Sequence, residues 1–247
     1  TGSLDSIKFS QKNFSSQQTF TFRKIKALRL RQNLQYDWNT NVSTTLNLMY
    51  RNNTMDQNPS YSIGSTSNPT KFRGQINSNQ FDAYVLDIQH SWNLQSLNSK
   101  LFIGGYWDFT PQNLVANYID IFKDTAIGKY TKYSYPTKDS LITSYETELN
   151  NKAIYANYIF DINKYIRLNA SIRYDDFTYL FNNQLSTGTP SANNHFTNWT
   201  PKLGINYNKK QHGVYVNYSE GFVPPQITEI YNAIRVPFLL PQKFKNF

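Results

Sequence analysis

The sequence predicts an all-β fold, an antiparallel transmembrane β-barrel to which this chain contributes about eight strands with long extracellular loops. Three observations predict it. Apolar and polar side chains alternate with a period of two, short and long connections between these segments alternate strictly, and aromatic residues gather where the segments end. A β-meander with tight turns at one rim and extended loops at the other is the arrangement of bacterial transmembrane barrels.

Composition excludes several other classes of protein. The 247 residues include 25 Lys+Arg against 16 Asp+Glu, giving a net charge of +9. The longest apolar run, Ala153 to Ala156, is far shorter than the ~20 residues that a membrane-spanning helix needs. With 19 Tyr and 17 Phe the chain does not have the composition of a disordered protein, and without Cys it has no disulfide framework or thiolate metal site.

Strand-type alternation is clearest between Tyr165 and Asp175. Successive side chains of a strand point to opposite faces, so this segment has one apolar and one polar face. The apolar face carries Ile166, Leu168, Ala170, Ile172 and Tyr174, and the polar face carries Arg167, Asn169, Ser171, Arg173 and Asp175. Seven similar segments complete the set of eight strands: Leu28–Trp38, Val42–Arg51, Phe81–Trp92, Lys100–Asp108, Lys152–Asp161, Pro201–Asn208 and Gly213–Glu220.

The connections fall into two classes that never exchange places. Short turns are predicted around Asn39–Asn41, Asn93–Ser99, Ile162–Lys164 and Lys209–His212, and long loops over Asn52–Gln80, Phe109–Asn151 and Asp176–Thr200. Within the second long loop, Val115–Phe122 is predicted as a short helix. We call the two rims of the predicted wall the turn rim and the loop rim.

Aromatic residues on the apolar faces form two bands, as expected where amphipathic rings collect at the two boundaries of a bilayer. The band at the turn rim comprises Tyr36, Trp38, Trp92, Tyr158, Phe160 and Tyr207, and the band at the loop rim comprises Tyr50, Trp107, Tyr174 and Tyr218. A soluble β-sandwich that binds carbohydrate is an alternative, since its strands also alternate. A sandwich does not predict loops of one length at each rim.

Three stretches of the last hundred residues resemble TonB-dependent outer-membrane receptors. Val214–Tyr231 contains Tyr218, Ser219, Gly221, Phe222, Pro224 and Pro225 and resembles that family's "Y-S-x-G-F-x-x-P … E-L-Y" stretch. Trp199–Ile205 is similar to its "x-T-P-K-L-G" strand start, and Ile172–Asp175 to its "R-Y-D" strand ending. The three occur in the family's order and at similar spacings.

This resemblance implies a barrel of about 22 strands in the outer membrane of a Gram-negative bacterium. Residues 1–247 would then be a partial barrel domain, with the plug domain and the remaining strands outside this chain. It also implies active uptake of a bulky nutrient, first of all a ferric siderophore or similar iron chelate, driven by the TonB complex through the plug domain. Expected partners are outer-membrane lipid, lipopolysaccharide and the ligand. Neither a cofactor nor nucleic acid is expected.

Candidate ligand-binding residues come from the predicted inner wall and the longest loop. Arg29, Arg31, Arg51, Arg167 and Arg173 share the polar faces, where they could guide an anionic ligand or pair with Asp37, Asp175 and plug carboxylates. Phe109–Asn151 holds Tyr118, Phe122, Tyr130 and Tyr133 among lysines, which would suit a chelate that is partly apolar and partly anionic. From these two sets, Tyr118, Phe122, Tyr130, Tyr133 and Arg173 are predicted to bind the ligand.

Three other functions remain as alternatives. A passive, porin-like channel would share the barrel without energy coupling. An outer-membrane hydrolase would need His90, near a turn, to act as a base, but no spacing supplies an orienting acid or an oxyanion donor. A single-strand nucleic-acid platform would interleave aromatic and basic residues, but here the aromatics segregate at strand ends.

Overall fold

In a computed structural model, residues 6–14, 18–58, 63–136, 140–225 and 240–246 are described, and their strands form a single antiparallel sheet. Nine strands pair across this sheet in their order along the chain, and two short strands pair beside them. This neighbour-to-neighbour order is the predicted meander.

The eight predicted strands are all present and are extended well beyond their predicted ends. They are β1 (Arg23–Asn39), β2 (Val42–Gln57), β4 (Lys71–Leu94), β5 (Ser99–Asp124), β7 (Leu141–Asn163), β8 (Ile166–Asn183), β9 (Ala192–Lys209) and β10 (His212–Val223). Three short strands, β3 (Gly64–Ser65), β6 (Lys129–Ser134) and β11 (Gln242–Asn246), add to the sheet. A five-residue helix, α1 (Ser6–Ser10), precedes β1, and no helix of the described residues has the length and hydropathy needed to cross a bilayer.

The four predicted short turns are confirmed. β1 and β2 are separated by Thr40 and Asn41 alone, and β4 and β5 by the 3-10 turn Gln95–Leu97 followed by Asn98. Asn98 adopts a positive φ angle of 48°, and Lys210, in the β9–β10 turn, adopts one of 55°. All four turns lie at the same rim of the sheet.

The segments predicted as long loops are strand for most of their length. β5 runs unbroken for 26 residues through Val115–Phe122, so the predicted helix there is a strand. Most of Asn52–Gln80 likewise belongs to strands, chiefly the end of β2 and the start of β4. Most of Asp176–Thr200 belongs to the end of β8 and the start of β9. Outside the membrane lipid no longer requires one face of a strand to be apolar, so the period of two fades although the backbone ladder continues.

The register places the predicted apolar side chains together on one face, which we call the outer face. Leu46 opposes Ile88 and Leu34, Leu168 opposes Phe160 and Ile205, and Ile172 opposes Ala156 and Pro201. Many of these side chains are exposed, Leu203 by 58% and Ile154 by 63%. A row of exposed aliphatic residues spanning several strands is the surface that a bilayer covers.

Both aromatic bands are found on the outer face. Tyr50 packs on Tyr84, with 5.3 Å between ring centroids, and Tyr174 packs on Trp199 at 4.8 Å. One step beyond the band, the outer face becomes polar: Tyr50 Oη and Asn52 Nδ2 both donate to Asp82, at 2.7 and 2.8 Å. The apolar zone therefore ends at the tyrosines, as expected at a bilayer boundary.

A small hydrophobic core stabilises the part of the sheet that projects past the loop-rim band. Ile119 and Ile121 on β5 are fully buried against Ile76, and Phe20, Phe22 and Phe72 pack around them. Gly74 opposes Ile119 across the ladder, and a Cβ at Gly74 would collide with the Ile121 side chain.

The chain also pairs after β10, beyond the last of the eight predicted strands. β11 aligns with the end of β10, and Gly221 opposes Phe244. The Phe244 ring occupies the space where a Cβ of Gly221 would lie, so an aromatic side chain covers a strand glycine. Five residues are too few to show a period-two pattern, which is why the sequence did not predict β11.

A charge placed on the outer face tests its contact with lipid. Leu203→Arg, between Tyr207 and Trp199 on β9, is expected to lower the free energy of unfolding of the full-length protein in lipid vesicles by ~2–4 kcal/mol. Asn169→Arg, on the opposite face of the neighbouring strand β8, is the matched control and is expected to cost less than half as much. Equal losses in urea titrations would contradict the orientation.

Candidate ligand-binding site on the inner wall

The polar face of the sheet, which we call the inner wall, holds a continuous hydrogen-bond network at mid-height. Tyr155 Oη donates to Asp87 Oδ1 at 2.9 Å, and Asn47 Nδ2 donates to Asp87 Oδ2 at 3.1 Å. Asn33 Nδ2 extends the chain to Asn47 Oδ1 at 2.7 Å. The network joins β1, β2, β4 and β7, so it fixes the wall across its strands.

Gly104 makes this network possible. Tyr155 lies opposite Gly104 on the neighbouring strand, and its ring crosses the Gly104 backbone to reach Asp87 on the strand beyond. A Cβ at Gly104 would collide with the Tyr155 ring and would lie 2.7 Å from the Ile88 carbonyl oxygen. A strand glycine is therefore required here because a neighbouring side chain passes directly over the backbone.

Arg173, a predicted ligand-binding residue, is committed to an ion pair. Its Nη2 and Nε atoms donate to the buried Asp175 carboxylate at 2.7 to 3.0 Å, and its guanidinium stands 5.0 Å from the centroid of the Tyr106 ring. It also lines a concavity of about 720 Å³ on the inner wall, together with Arg31, Asp87, Tyr106 and Tyr155. Arg167 is likewise paired, with Asp161 at 2.6 Å.

Three further arginines of the inner wall have no carboxylate partner among the described residues. Arg29 and Arg51 oppose each other directly across β1 and β2, and Arg31 lies two residues along the same face. The Nε of Arg51 is buried without a hydrogen-bond acceptor in the described part of the chain, and Arg31 reaches only the Asn47 amide oxygen, at 3.5 Å. Like charges directly opposed on a sheet repel. We call Arg29, Arg31 and Arg51 the arginine trio.

The predicted loop aromatics lie on β5 and β6, in the projecting part of the sheet. The Arg73 guanidinium stands 4.7 Å from the centroid of the Tyr118 ring, and Tyr130 packs edge-on against Phe72 at 5.1 Å. Tyr133 contacts Phe20 at 5.1 Å, whereas Phe122 is 39% exposed. Tyr118 and Phe122 share one face of β5, whereas Tyr130 packs against the small core on the other face. The structure therefore does not gather the four predicted aromatic residues into one cluster.

Tyr135 packs edge-on against Tyr133 of this group, with 6.4 Å between ring centroids, and is 58% exposed. Burial raises the pKa of its phenol, and the neighbouring Tyr133 and Asp56 raise it further. A protonated phenol can both donate and accept a hydrogen bond.

The residues that carry the family resemblance lie at the loop-rim end of β10. Tyr218 Oη donates to Glu220, which Lys245 of β11 also approaches at 3.6 Å, and Gly221 receives the Phe244 ring. Phe222 contacts Phe177 with 5.6 Å between centroids. Pro224 and Pro225 end the strand, since proline cannot continue the ladder. The remainder of that stretch, Gln226–Tyr231, lies outside the described residues.

His90 is placed on the outer face near the turn rim. Its Nδ1 hydrogen-bonds Thr44 Oγ1 at 2.7 Å, and its ring packs on Trp92 at 4.3 Å. The described residues contain no group of His, Asp or Glu side chains that could hold a metal ion.

Sequence reasoning missed the Tyr155–Asp87–Asn47 network. Its one signal was the pair Gly104-Gly105 inside a predicted strand, which indicates close approach of another group. Only the register shows that Tyr155 is the residue that crosses Gly104.

Comparison with protein families identifies the class. The family described as "TonB dependent receptor-like, beta-barrel" matches residues 2–247, and the chain belongs to this family. Its members are outer-membrane receptors and transporters of Gram-negative bacteria, not enzymes. Curated proteins include no sequence match.

Solved structures agree on the fold. The ferric citrate transporter FecA in its unliganded form has a TM-score of 0.61 at 14% identity, covering 90% of this chain and 30% of that one. The copper transporter OprC has a TM-score of 0.61 at 12% identity, covering 90% of this chain and 35% of that one. The siderophore receptor PiuA from Acinetobacter baumannii has a TM-score of 0.55 at 15% identity, covering 83% of this chain and 33% of that one. This chain therefore spans about a third of each of these structures, and the likeness concerns fold alone.

The two adjacent glycines of β5 provide a test of the inner-wall network. Gly104→Ala is expected to lower the free energy of unfolding by ~1–3 kcal/mol, because the new methyl group displaces the Tyr155 ring and breaks its bond to Asp87. Gly105→Ala is the control, since its Cβ would meet nothing closer than Ile88 Cγ2 at 3.8 Å. Urea unfolding of the full-length protein, followed by tryptophan fluorescence, compares them. Equal midpoints would contradict the role of Gly104.

Proposed function

We propose that this chain is part of the barrel wall of an outer-membrane receptor that takes up a bulky metal chelate, most favourably a ferric siderophore, by TonB-dependent transport. The family match over residues 2–247 is the observation that carries the proposal. In this proposal the turn rim faces the periplasm, the projecting strands face the exterior, and the inner wall surrounds a plug domain encoded elsewhere in the gene.

The arginine trio supports an anionic ligand. Arg29 and Arg51 oppose each other directly, and the buried Nε of Arg51 has no acceptor among the described residues. The two side chains therefore leave positive charge on the inner wall. Charge of one sign on a low-dielectric wall raises the local concentration of ligands of the opposite charge. Ferric complexes of carboxylate or catecholate chelators commonly carry negative charge, so the trio suits them better than it suits a neutral nutrient.

Capture at the exterior is assigned to the projecting strands. Tyr118, Phe122, Tyr130 and Tyr133 offer ring surfaces beside Arg73 and Lys123, a combination that suits a chelate with aromatic and anionic parts. Arg173 is assigned a supporting part, since its ion pair with Asp175 holds the wall on which the trio lies.

A passive channel is the second candidate function, favoured only by the polar lining that the two classes share. Energy coupling distinguishes them. Uptake of labelled ferric chelates by cells with the full-length gene is expected to stop when TonB is deleted or a protonophore is added. Uptake that continues at the same rate after both treatments would contradict the proposal and favour the channel.

Neutralising the trio tests the charge of the ligand. Arg29→Gln with Arg51→Gln is expected to weaken binding of ferric citrate or a ferric catecholate by about tenfold, because two cationic contacts are lost. The matched control is Lys24→Gln with Lys26→Gln, which removes the same charge from the outer face of β1. Equilibrium binding to the purified full-length receptor at two salt concentrations measures the difference. Equal affinities of the two double variants would contradict an anionic site at the trio.

A further inference from the structure

Two neighbouring turns of the turn rim are strongly basic. Lys164 lies in the β7–β8 turn, and Lys209 and Lys210 lie at the β9–β10 turn. These turns are neighbours: Ile166 opposes Tyr207, and the Asn208 amide donates to the Tyr165 carbonyl at 2.8 Å. The other two turns, Asn39–Asn41 and Asn93–Asn98, contain no charged residue.

Two of these lysines converge on one aromatic ring. The Nζ of Lys164 lies 5.0 Å from the centroid of Tyr165, and the Nζ of Lys209 lies 5.4 Å from the same centroid. The ring attracts each ammonium group. The two like charges are therefore no more than 10.4 Å apart. An anion beside the ring would relieve the repulsion that this arrangement creates.

The described residues supply no such anion. None of the three lysines forms an ion pair with a carboxylate in the described part of the chain. Asp161, the acidic residue at the β7–β8 turn, accepts hydrogen bonds from Arg167 at 2.6 and 3.0 Å, and its charge is therefore already balanced.

The position of the cluster relative to the bilayer indicates which anion it meets. Lys209 follows Tyr207 by two residues on the outer face of β9, and His212 opposes Lys209 on the same side. Tyr207 belongs to the aromatic band of the turn rim, which marks the level of the headgroups. A lysine directly beyond that band extends its ammonium group toward the lipid phosphates while its stem stays on the apolar surface.

We propose that Lys164, Tyr165 and Lys209, with added charge from Lys210, form a binding site for the phosphate of an anionic phospholipid in the leaflet at the turn rim. This site rests on the proposed function for its location, since that function places the rim in the periplasmic leaflet of the outer membrane. Phosphatidylglycerol has the required chemistry: one phosphate diester with a net negative charge and no ammonium group to compete with the lysines.

The site is tested with the purified full-length protein in a neutral detergent. Native mass spectrometry, with added short-chain phosphatidylglycerol or phosphatidylethanolamine, measures the lipid retained by each variant. The unmodified protein is expected to retain phosphatidylglycerol preferentially, and Lys164→Gln with Lys209→Gln to weaken that retention by about tenfold, since lysines near a membrane surface each add to the attraction of anionic lipid. Lys24→Gln with Lys26→Gln removes equal charge at the other rim and is expected to change nothing.

Each other outcome overturns the site. Equal retention of the two lipids, or equal losses in the two double variants, would show attraction by net charge alone. Competition by inorganic phosphate as strong as by the lipid would show a site for free phosphate. Circular dichroism confirms that the variants are folded. Uptake is not part of this measurement, so a failure of the proposed transport function appears separately, as loss of energy dependence in the cellular assay.

Discussion

The fold depends on the need of every backbone amide and carbonyl in a bilayer to find a partner within the protein. The antiparallel ladders of this sheet satisfy that need for β2, β4, β5, β7, β8 and β9, each of which has a partner strand on both sides. Once the ladders are fixed, side chains have only two directions to point. The outer face then becomes aliphatic with aromatic borders, and the inner wall is left to polar residues such as Asp87 and Arg173.

The inner wall is held together by contacts that cross strands. Tyr155 passes over Gly104 to Asp87, so a residue without a Cβ is needed beneath its ring. Arg173 passes over a strand to the Tyr106 ring. The arginine trio is the part of the wall that these contacts do not neutralise. A rigid wall with a residual positive charge is consistent with the uptake of an anionic chelate by a member of this family.

The sequence predicted the features that depend on period two, and missed those that depend on register. Leu168 and Ile172 were correctly assigned to the apolar face because lipid contact imposes strict alternation. Strand extension through Val115–Phe122 was missed because past the lipid no face has to be apolar along its whole length, and only Ile119 and Ile121 are buried in the small core. The pairing of Arg173 with Asp175 was foreseen as an alternative, but no local pattern shows that Tyr155 reaches across a strand or that Phe244 covers Gly221.

The account is tested most directly by the environment of alternate residues of β8. Residues 1–247 contain no cysteine. Single cysteines at positions 167 to 174 of the full-length protein, with any cysteine outside these residues replaced, can carry nitroxide labels. Collision rates with oxygen, which dissolves in lipid, and with a water-soluble nickel chelate are then measured in vesicles. The account predicts oxygen maxima at Leu168, Ala170, Ile172 and Tyr174 and minima at the residues between them. Collision rates without a period of two, or with the opposite phase, would contradict it.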